Sequence, residues 1–261
     1  MPNTDSMWEK WGKSDPYYAV ITRDQYHTKN LSESKEAFFE SGRAHVTGVL
    51  QDLEQRFGVS DRHSALDFGC GVGRLVVPFA SYFARVDGMD ISPSMLKEAA
   101  VNLADRAINN VELLQSDDGL TAIRDKKYDL VHSHLVLQHI PRERGYVLID
   151  QLLSHVAPNG SFYIQVPVKR IASPISRAAY FVKHRAPFAY MAFNLLERKP
   201  LRTPTMQMNI YDFGNLLPIF KNHGFENVAF RTEIQSVRIG SYVTARFFAR
   251  KEPPTAAAPT A

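Results

Sequence analysis

The stretch Leu66–Leu75, LDFGCGVGRL, sets three glycines within five residues directly after a short apolar run. A strand that runs into a glycine-rich turn and then a helix lets a ligand approach the backbone at the carboxyl end of a sheet. The spacing narrows the ligand. The dinucleotide fingerprint requires a glycine at position 74, where the chain has Arg74. The phosphate-loop pattern requires Gly-Lys-Ser/Thr after four spacer residues, and the sequence does not supply it.

Outward from this loop, short apolar runs alternate with helical patterns. Ser64–Phe68 reads as a strand, Val72–Phe83 as a helix, Arg85–Met89 as a strand and Pro93–Ala107 as a helix capped by Ser92. Val111–Gln115 and Tyr128–Ser133 read as strands, Arg142–Val156 as a helix and Ser161–Val166 as a strand. Upstream, apolar residues from Phe38 to Phe57 recur every three or four positions, which predicts a helix over Lys35–Phe57. Downstream, a helix is expected from Tyr211 to about His223. Asn227–Glu233 and Ser241–Arg250 are too close for a helical crossover and predict an antiparallel pair. The alternation predicts an α/β fold, a doubly wound parallel sheet with helices on both faces. Residues 1–58 form an N-terminal arm and helix, 59–251 the main domain with an insertion at 168–208, and 252–261 a low-complexity tail expected to be disordered.

The chain has 261 residues, 44% of them hydrophobic, enough for one domain with a sizeable core. Its one cysteine, Cys70, allows no internal disulfide. The polar first fifteen residues do not resemble a signal peptide, and no run approaches the ~20 apolar residues of a membrane span. These features predict a cytoplasmic protein. The net charge of +4 is uneven: the insertion holds eight lysines and arginines against one acid, leaving the rest at minus three. Such an excess concerns partners rather than fold.

Three successive strand ends carry acids. Asp67 precedes the loop, Asp90 ends the second strand, and Asp117 and Asp118 follow the third. An acid after the second strand can accept both hydroxyls of a ribose. An acid after the third can accept from an adenine amino group, and Asp67 can hold an ammonium. With no lysine in this ring, the ligand implied is a cationic nucleoside rather than a polyphosphate.

LDFGCGVGR, GMDIS, LLQSDD and YDLVHSHLVLQHIP together resemble the motifs of class I S-adenosylmethionine-dependent methyltransferases. The resemblance runs from about Ala65 to Pro167 and resumes at the C-terminal strand pair. It implies a seven-stranded, mostly parallel sheet with an antiparallel last strand, and S-adenosyl-L-methionine as cofactor. It also implies that Gly69 and Gly71 pass under the methionine portion, with Asp67 facing its amino group. Asp90 would bind the ribose, Ile91 lie against adenine, Asp117 meet the adenine amino group, and Ser133 and His134 lie near the sulfonium. Asp118 is expected to sit in the turn with Gly119.

A hydroxyl acceptor needs a general base close by. His134, at the cofactor end of its strand, and His139, before the next helix, are the candidates; His132 is expected to be structural. In the ubiquinone-pathway O-methyltransferases a metal is held by two glutamates and a histidine, and the matching positions here are Leu135, Gln138 and His139. Both acids are missing, so no metal site of that kind is expected. The segment Trp8–Tyr26 looks like the opening of methyltransferases of glycan and secondary-metabolite pathways, whose arm covers the cofactor. By that likeness Arg43 would reach the methionine carboxylate.

The basic, aromatic insertion 168–208 has three readings: a cap for an anionic acceptor, a peripheral contact with an anionic membrane, or a solvated helical hairpin. The first is preferred. The expected reaction is methyl transfer to a small-molecule or saccharide acceptor, at oxygen, with no nucleic-acid partner. The alternatives are N-methylation of an amino sugar or small amine, a cofactor-binding protein without turnover, and an aminopropyltransferase, which the basic insertion disfavours.

Overall fold

The computed structural model describes residues 4–173, 206–236 and 240–252. Strands β1 (Ser64–Phe68), β2 (Arg85–Asp90), β3 (Val111–Gln115), β4 (Tyr128–Ser133), β5 (Val156–Ile171), β6 (Ala229–Ser236) and β7 (Ser241–Arg250) form one sheet. Their order is β3-β2-β1-β4-β5-β7-β6. The first five are parallel, and β7 runs antiparallel to both β5 and β6. The sheet is thus seven-stranded, with the antiparallel last strand that the close C-terminal pair predicted.

Alternation along the strands divides the core. Leu66 and Val131 face α6 (Arg142–Ser154) and α7 (Phe213–Asn222), packing with Leu148, Leu152 and Phe220. Ala65 and Leu130 face the other way, toward Val46, Val49 and Leu53 of α3 (Leu31–Phe57) and Phe79 of α4 (Val76–Phe79). By the same alternation Asp67 and His132 point toward α3, a consequence that matters at the site.

Two boundaries differ from expectation. The helix expected over Val72–Phe83 is only α4, because Gly71 (φ 54°) and Gly73 (φ 89°) hold the chain in left-handed turns that a helix cannot include. Strand β5 is longer than Ser161–Val166, because β7 pairs with it as far as Ile171. Positions 168–171 of the expected insertion are therefore strand, and residues 174–205 lie outside the described residues.

The arm consists of α1 (Thr4–Ser14) and α2 (Pro16–Val20). Trp11, Tyr17, Tyr18 and Tyr26 pack against Phe38 and Phe39 of α3, Val72, and Met95 of α5 (Pro93–Ala104). Each such buried ring contributes about 1.5–3 kcal/mol, enough to seat the arm. Tyr17 also donates its hydroxyl to Glu98 Oε1 at 2.7 Å, and Glu9 accepts from the hydroxyls of Ser92 and Ser94 at 2.7 Å each. No helix among the described residues is long and apolar enough to cross a membrane.

Candidate active site

The strand order reverses between β1 and β4, and in open α/β sheets the ligand crevice lies at that point, outside the carboxyl ends of the strands. An open cleft lies there, about 900 Å³ when the solvent-filled space at its mouth is included. Its floor is the glycine loop, its sides are the ends of β2, β3 and β4, and Thr4, Asp5, Trp8 and Val20 of the arm reach over it. Gly69 is required twice over. Its φ is 81°, and a Cβ would come within 2.2 Å of Val136 Cγ2, so only glycine lets the loops after β1 and β4 close together.

Asp90 and Ile91 line the cavity at the end of β2. Asp90 accepts from the Gly71 and Ser92 amides, each at 2.9 Å, which fixes the carboxylate plane. Burial pushes its pKa up to about 6, against the opposing pull of those amides.

The other end of the cavity is deeper. Asp67 is 1% exposed. Its Oδ1 lies 2.8 Å from His132 Nδ1, while Oδ2 is buried without a partner. His132 Nε2 lies 3.0 Å from Nε2 of His45 in α3. The His45 ring lies on His134, with centroids 3.9 Å apart and planes at 30°. Arg74 lines the same end; it is 4% exposed, and its Nε is buried without a partner. Burial lowers its pKa to about 10, with nearby Asp67 pulling the other way. Gly42 lets α3 descend onto it, since a Cβ there would meet the Arg74 carbonyl oxygen at 2.3 Å.

His134 stands on the cavity wall with Nδ1 buried and unpartnered. Burial first, then His45 and Arg74, hold its pKa well below the usual histidine range. The next residue, Leu135, has φ 62° and donates its amide to Gln165 Oε1 at 3.1 Å. A bulky residue in the left-handed region costs about 1–3 kcal/mol and is found where a loop is held in a set shape. Here it turns the chain sharply between two wall residues, His134 and Val136.

Several residues expected at the ligand stand elsewhere. Arg43 is exposed on α3 and pairs with Glu40 at 3.0 Å; the buried guanidinium at the cavity is Arg74. Ser133 is buried but points to the opposite face of the sheet from His132 and does not line the cavity. His139 stands outside the cavity with both ring nitrogens engaged: Nδ1 to the Gln207 carbonyl at 2.7 Å, Nε2 to Gln138 Nε2 at 3.1 Å. Its ring meets Trp8 at 4.9 Å, so it pins the chain after the insertion to the arm and leaves no nitrogen for an acceptor.

Asp117 and Asp118 both line the cavity, but it is Asp117, not Asp118, that forms the turn with Gly119. The Asp117 carboxylate turns back on the Gly119 and Thr121 amides at 3.0 Å and on the Thr121 hydroxyl. Those bonds hold its pKa below the usual value. Asp118 instead accepts from Arg144 Nε at 2.7 Å, and Arg144 also donates to Asp5 of the arm at 2.7 and 3.1 Å. The Asp118–Arg144–Asp5 bridge ties the arm down over this end. Sequence reasoning passed over His45, Arg74 and Arg144 as ligand-site residues. The signals were slight: His45 interrupts the apolar stripe beside Val46 and Val49, and Arg74 directly follows the third glycine.

Residues 65–160 match the methyltransferase domain family, a segment that contains the glycine loop, all three acidic strand ends and His134. A methyltransferase domain therefore occupies residues 65–160. The chain is 30% identical over 130 residues to a trans-aconitate 2-methyltransferase of Enterobacter sp. (strain 638), covering 48% of this chain and 47% of the relative. It is 28% identical over 171 residues to a 23S rRNA uracil methyltransferase of Shewanella sediminis, covering 64% and 37%. The chain spans less than half the length of the curated relatives it matches. In fold, the methyltransferase domain with its arm is similar to magnesium protoporphyrin IX methyltransferase from Synechocystis PCC 6803 with bound SAH. The TM-score is 0.61 at 21% identity, covering 96% of this chain and all of that one. The names of these proteins give different acceptors, so the likeness extends to the domain and not to what it methylates.

Proposed function

We propose that this chain transfers a methyl group from S-adenosyl-L-methionine to a hydroxyl of a small-molecule or saccharide acceptor. The observation that carries the reading is the pair of orphaned atoms at the deep end of the cavity, Asp67 Oδ2 and Arg74 Nε. A buried carboxylate and a buried guanidinium on one wall are the complement of an α-amino-acid zwitterion, and each keeps one polar atom that the protein does not satisfy. Asp90 and Ile91 at the shallow end suit a ribose diol and a flat base. Amino acid at one end and nucleoside at the other describe the cofactor. The domain match supports the same assignment.

When bound, the cofactor supplies an electrophilic methyl on its sulfonium sulfur. The protein's part is to bind, orient and keep water out. Asp67 accepts from the ammonium, Arg74 donates to the carboxylate, and Asp90 accepts from the ribose hydroxyls. The arm, held by the Asp5–Arg144 pair, covers the site. His134 lines the cavity, keeps Nδ1 unpartnered and is neutral at pH 7, so it is the group on this wall that takes the proton from an acceptor hydroxyl. General-base help of this kind contributes about 10²–10⁴-fold. The basic segment 168–208 carries eight lysines and arginines against one acid; this confined excess favours an acceptor bearing an anionic group over a nucleic acid, for which a broader basic surface is expected.

Two measurements test the reading. Incubation with methyl-labelled cofactor and a fractionated host extract is expected to place label in a small-molecule fraction; label found only in RNA or protein would overturn the acceptor class. With the acceptor in hand, His134→Ala is expected to lower kcat about 10²-fold or more while leaving the affinity for S-adenosylhomocysteine unchanged. An unchanged kcat would remove His134 as the base.

A further inference from the structure

The proposed reaction uses Asp67 and His134 but not the two histidines that join them. His132 is fully buried in β4, and its register partner in β1 is Asp67. Parallel pairing and strand alternation therefore set the two side chains beside each other on the face covered by α3. His45 reaches the same point from α3. The three groups form one hydrogen-bonded line: Asp67 Oδ1, His132 Nδ1 at 2.8 Å, and His132 Nε2 to His45 Nε2 at 3.0 Å.

The carboxylate fixes the direction of the first bond in the line. A carboxylate only accepts, so Nδ1 of His132 carries the proton it gives to Asp67. Its Nε2 shares one proton with Nε2 of His45, which completes the line. The result for Asp67 is specific. One oxygen is held by an imidazole whose orientation is itself set by a second imidazole, and the other is left free and buried at the cavity wall. The His132 ring is also fixed by apolar packing, lying parallel to Tyr163 at 5.8 Å and edge-on to Phe79 at 5.2 Å. His45 touches both lines of the site, since its ring stacks on His134.

We propose that His132 and His45 are positioning residues for the amino-acid end of the cofactor. They hold Asp67 by one oxygen so that the other meets the ammonium group, and His45 at the same time backs the ring of His134. This rests on the cofactor reading given above. The arrangement parallels metal sites, where a ligand's orientation is set by hydrogen bonds from residues that do not themselves touch the metal. Here the oriented group is a carboxylate and the bound charge an ammonium.

The test compares two probes by calorimetry: S-adenosylhomocysteine, which has the amino-acid end, and 5′-methylthioadenosine, which lacks it. In His132→Phe, which keeps a ring against Tyr163 but removes the donor, affinity for S-adenosylhomocysteine is expected to fall about tenfold or more. Affinity for 5′-methylthioadenosine is expected to change less than about twofold, because that probe does not reach Asp67. His132→Asn places an amide N–H near the former Nδ1 and is expected to restore most of the loss. His45→Phe, which keeps the stack on His134, is expected to give a smaller loss with the same selectivity, about threefold. It carries the test alone should His132→Phe fail to fold.

Equal weakening of both probes, or of neither, would overturn the positioning role while leaving the cofactor assignment in place. Failure of the wild-type protein to bind either probe would overturn the cofactor assignment, and the positioning role with it.

Discussion

Asp67 and Asp117 both stand at strand ends in motifs that resemble those of methyltransferases, yet they end in opposite states. Asp67 is 1% exposed, held by a histidine, with one oxygen buried and unpartnered. Asp117 is exposed, and three bonds from Gly119 and Thr121 satisfy it locally. The difference separates the two ends of the cavity. The deep end is built from side chains distant in sequence, Asp67, Arg74, His132 and His45, and it leaves charge unsatisfied for a ligand. The shallow end is built from loop residues whose acids are spent on turns and on the arm. Asp90 stands between: its oxygens accept backbone amides yet remain on the wall. Charge withheld from the protein's own hydrogen bonds, more than position after a strand, marks where a ligand's charge belongs.

The largest effect that can break this contrast is at Asp67. Asp67→Asn is expected to weaken S-adenosylhomocysteine about 100-fold by calorimetry, since it removes the charge of a buried ion pair, whereas Asp117→Asn is expected to change it less than about threefold. Similar losses at both acids would erase the distinction. Next is Arg74→Gln, expected to cost about tenfold to 100-fold, against no measurable change in Arg43→Ala, whose side chain is in solvent with Glu40.

Asp90 adds a pH dependence. Its pKa is raised to about 6, and ribose hydroxyls donate best to the ionised form. Affinity is therefore expected to fall as pH drops through about 6, by at most tenfold per unit, and the slope to vanish in Asp90→Asn. The same shift acts on folding with the opposite sense. A raised carboxyl pKa gives a stability contribution fully present below the ordinary 3.8 and lost as pH rises through about 6. Thermal melts of the ligand-free protein should reflect that loss. The smallest effect is at the bridge over the shallow end: Arg144→Gln is expected to speed S-adenosylhomocysteine release a few-fold in stopped-flow, because it frees the arm without touching the deep clamp.

The sheet was legible because β1 to β4 are short apolar runs bounded by turn residues, and because the C-terminal strands lie too close for any crossover. The glycine loop, Asp67, Asp90 and Ile91 were legible because their positions follow from the strand ends. Asp117 reaches the cavity wall as its strand end implies, but its bonds to Gly119 and Thr121 were not legible, because a strand end gives a residue's place and not its rotamer. His139 was misread for a related reason: its partner, the Gln207 carbonyl, comes from beyond the insertion, at a separation no local pattern reports. Arg43 was placed by likeness, but α3 turns it outward, and the cation at the deep end of the cavity, Arg74, is thirty-one residues later. His45 and His132 meet only when α3 lies on the sheet.

The claim that the deep end is an amino-acid clamp is tested most directly in the unaltered protein, by measuring the affinities of S-adenosylhomocysteine and 5′-methylthioadenosine side by side at neutral pH. The two probes share the nucleoside and differ in the amino-acid end. A paired ammonium and carboxylate at Asp67 and Arg74 predict that S-adenosylhomocysteine binds about 100-fold more tightly or better. Equal affinity for the two would contradict the assignment of Asp67 and Arg74.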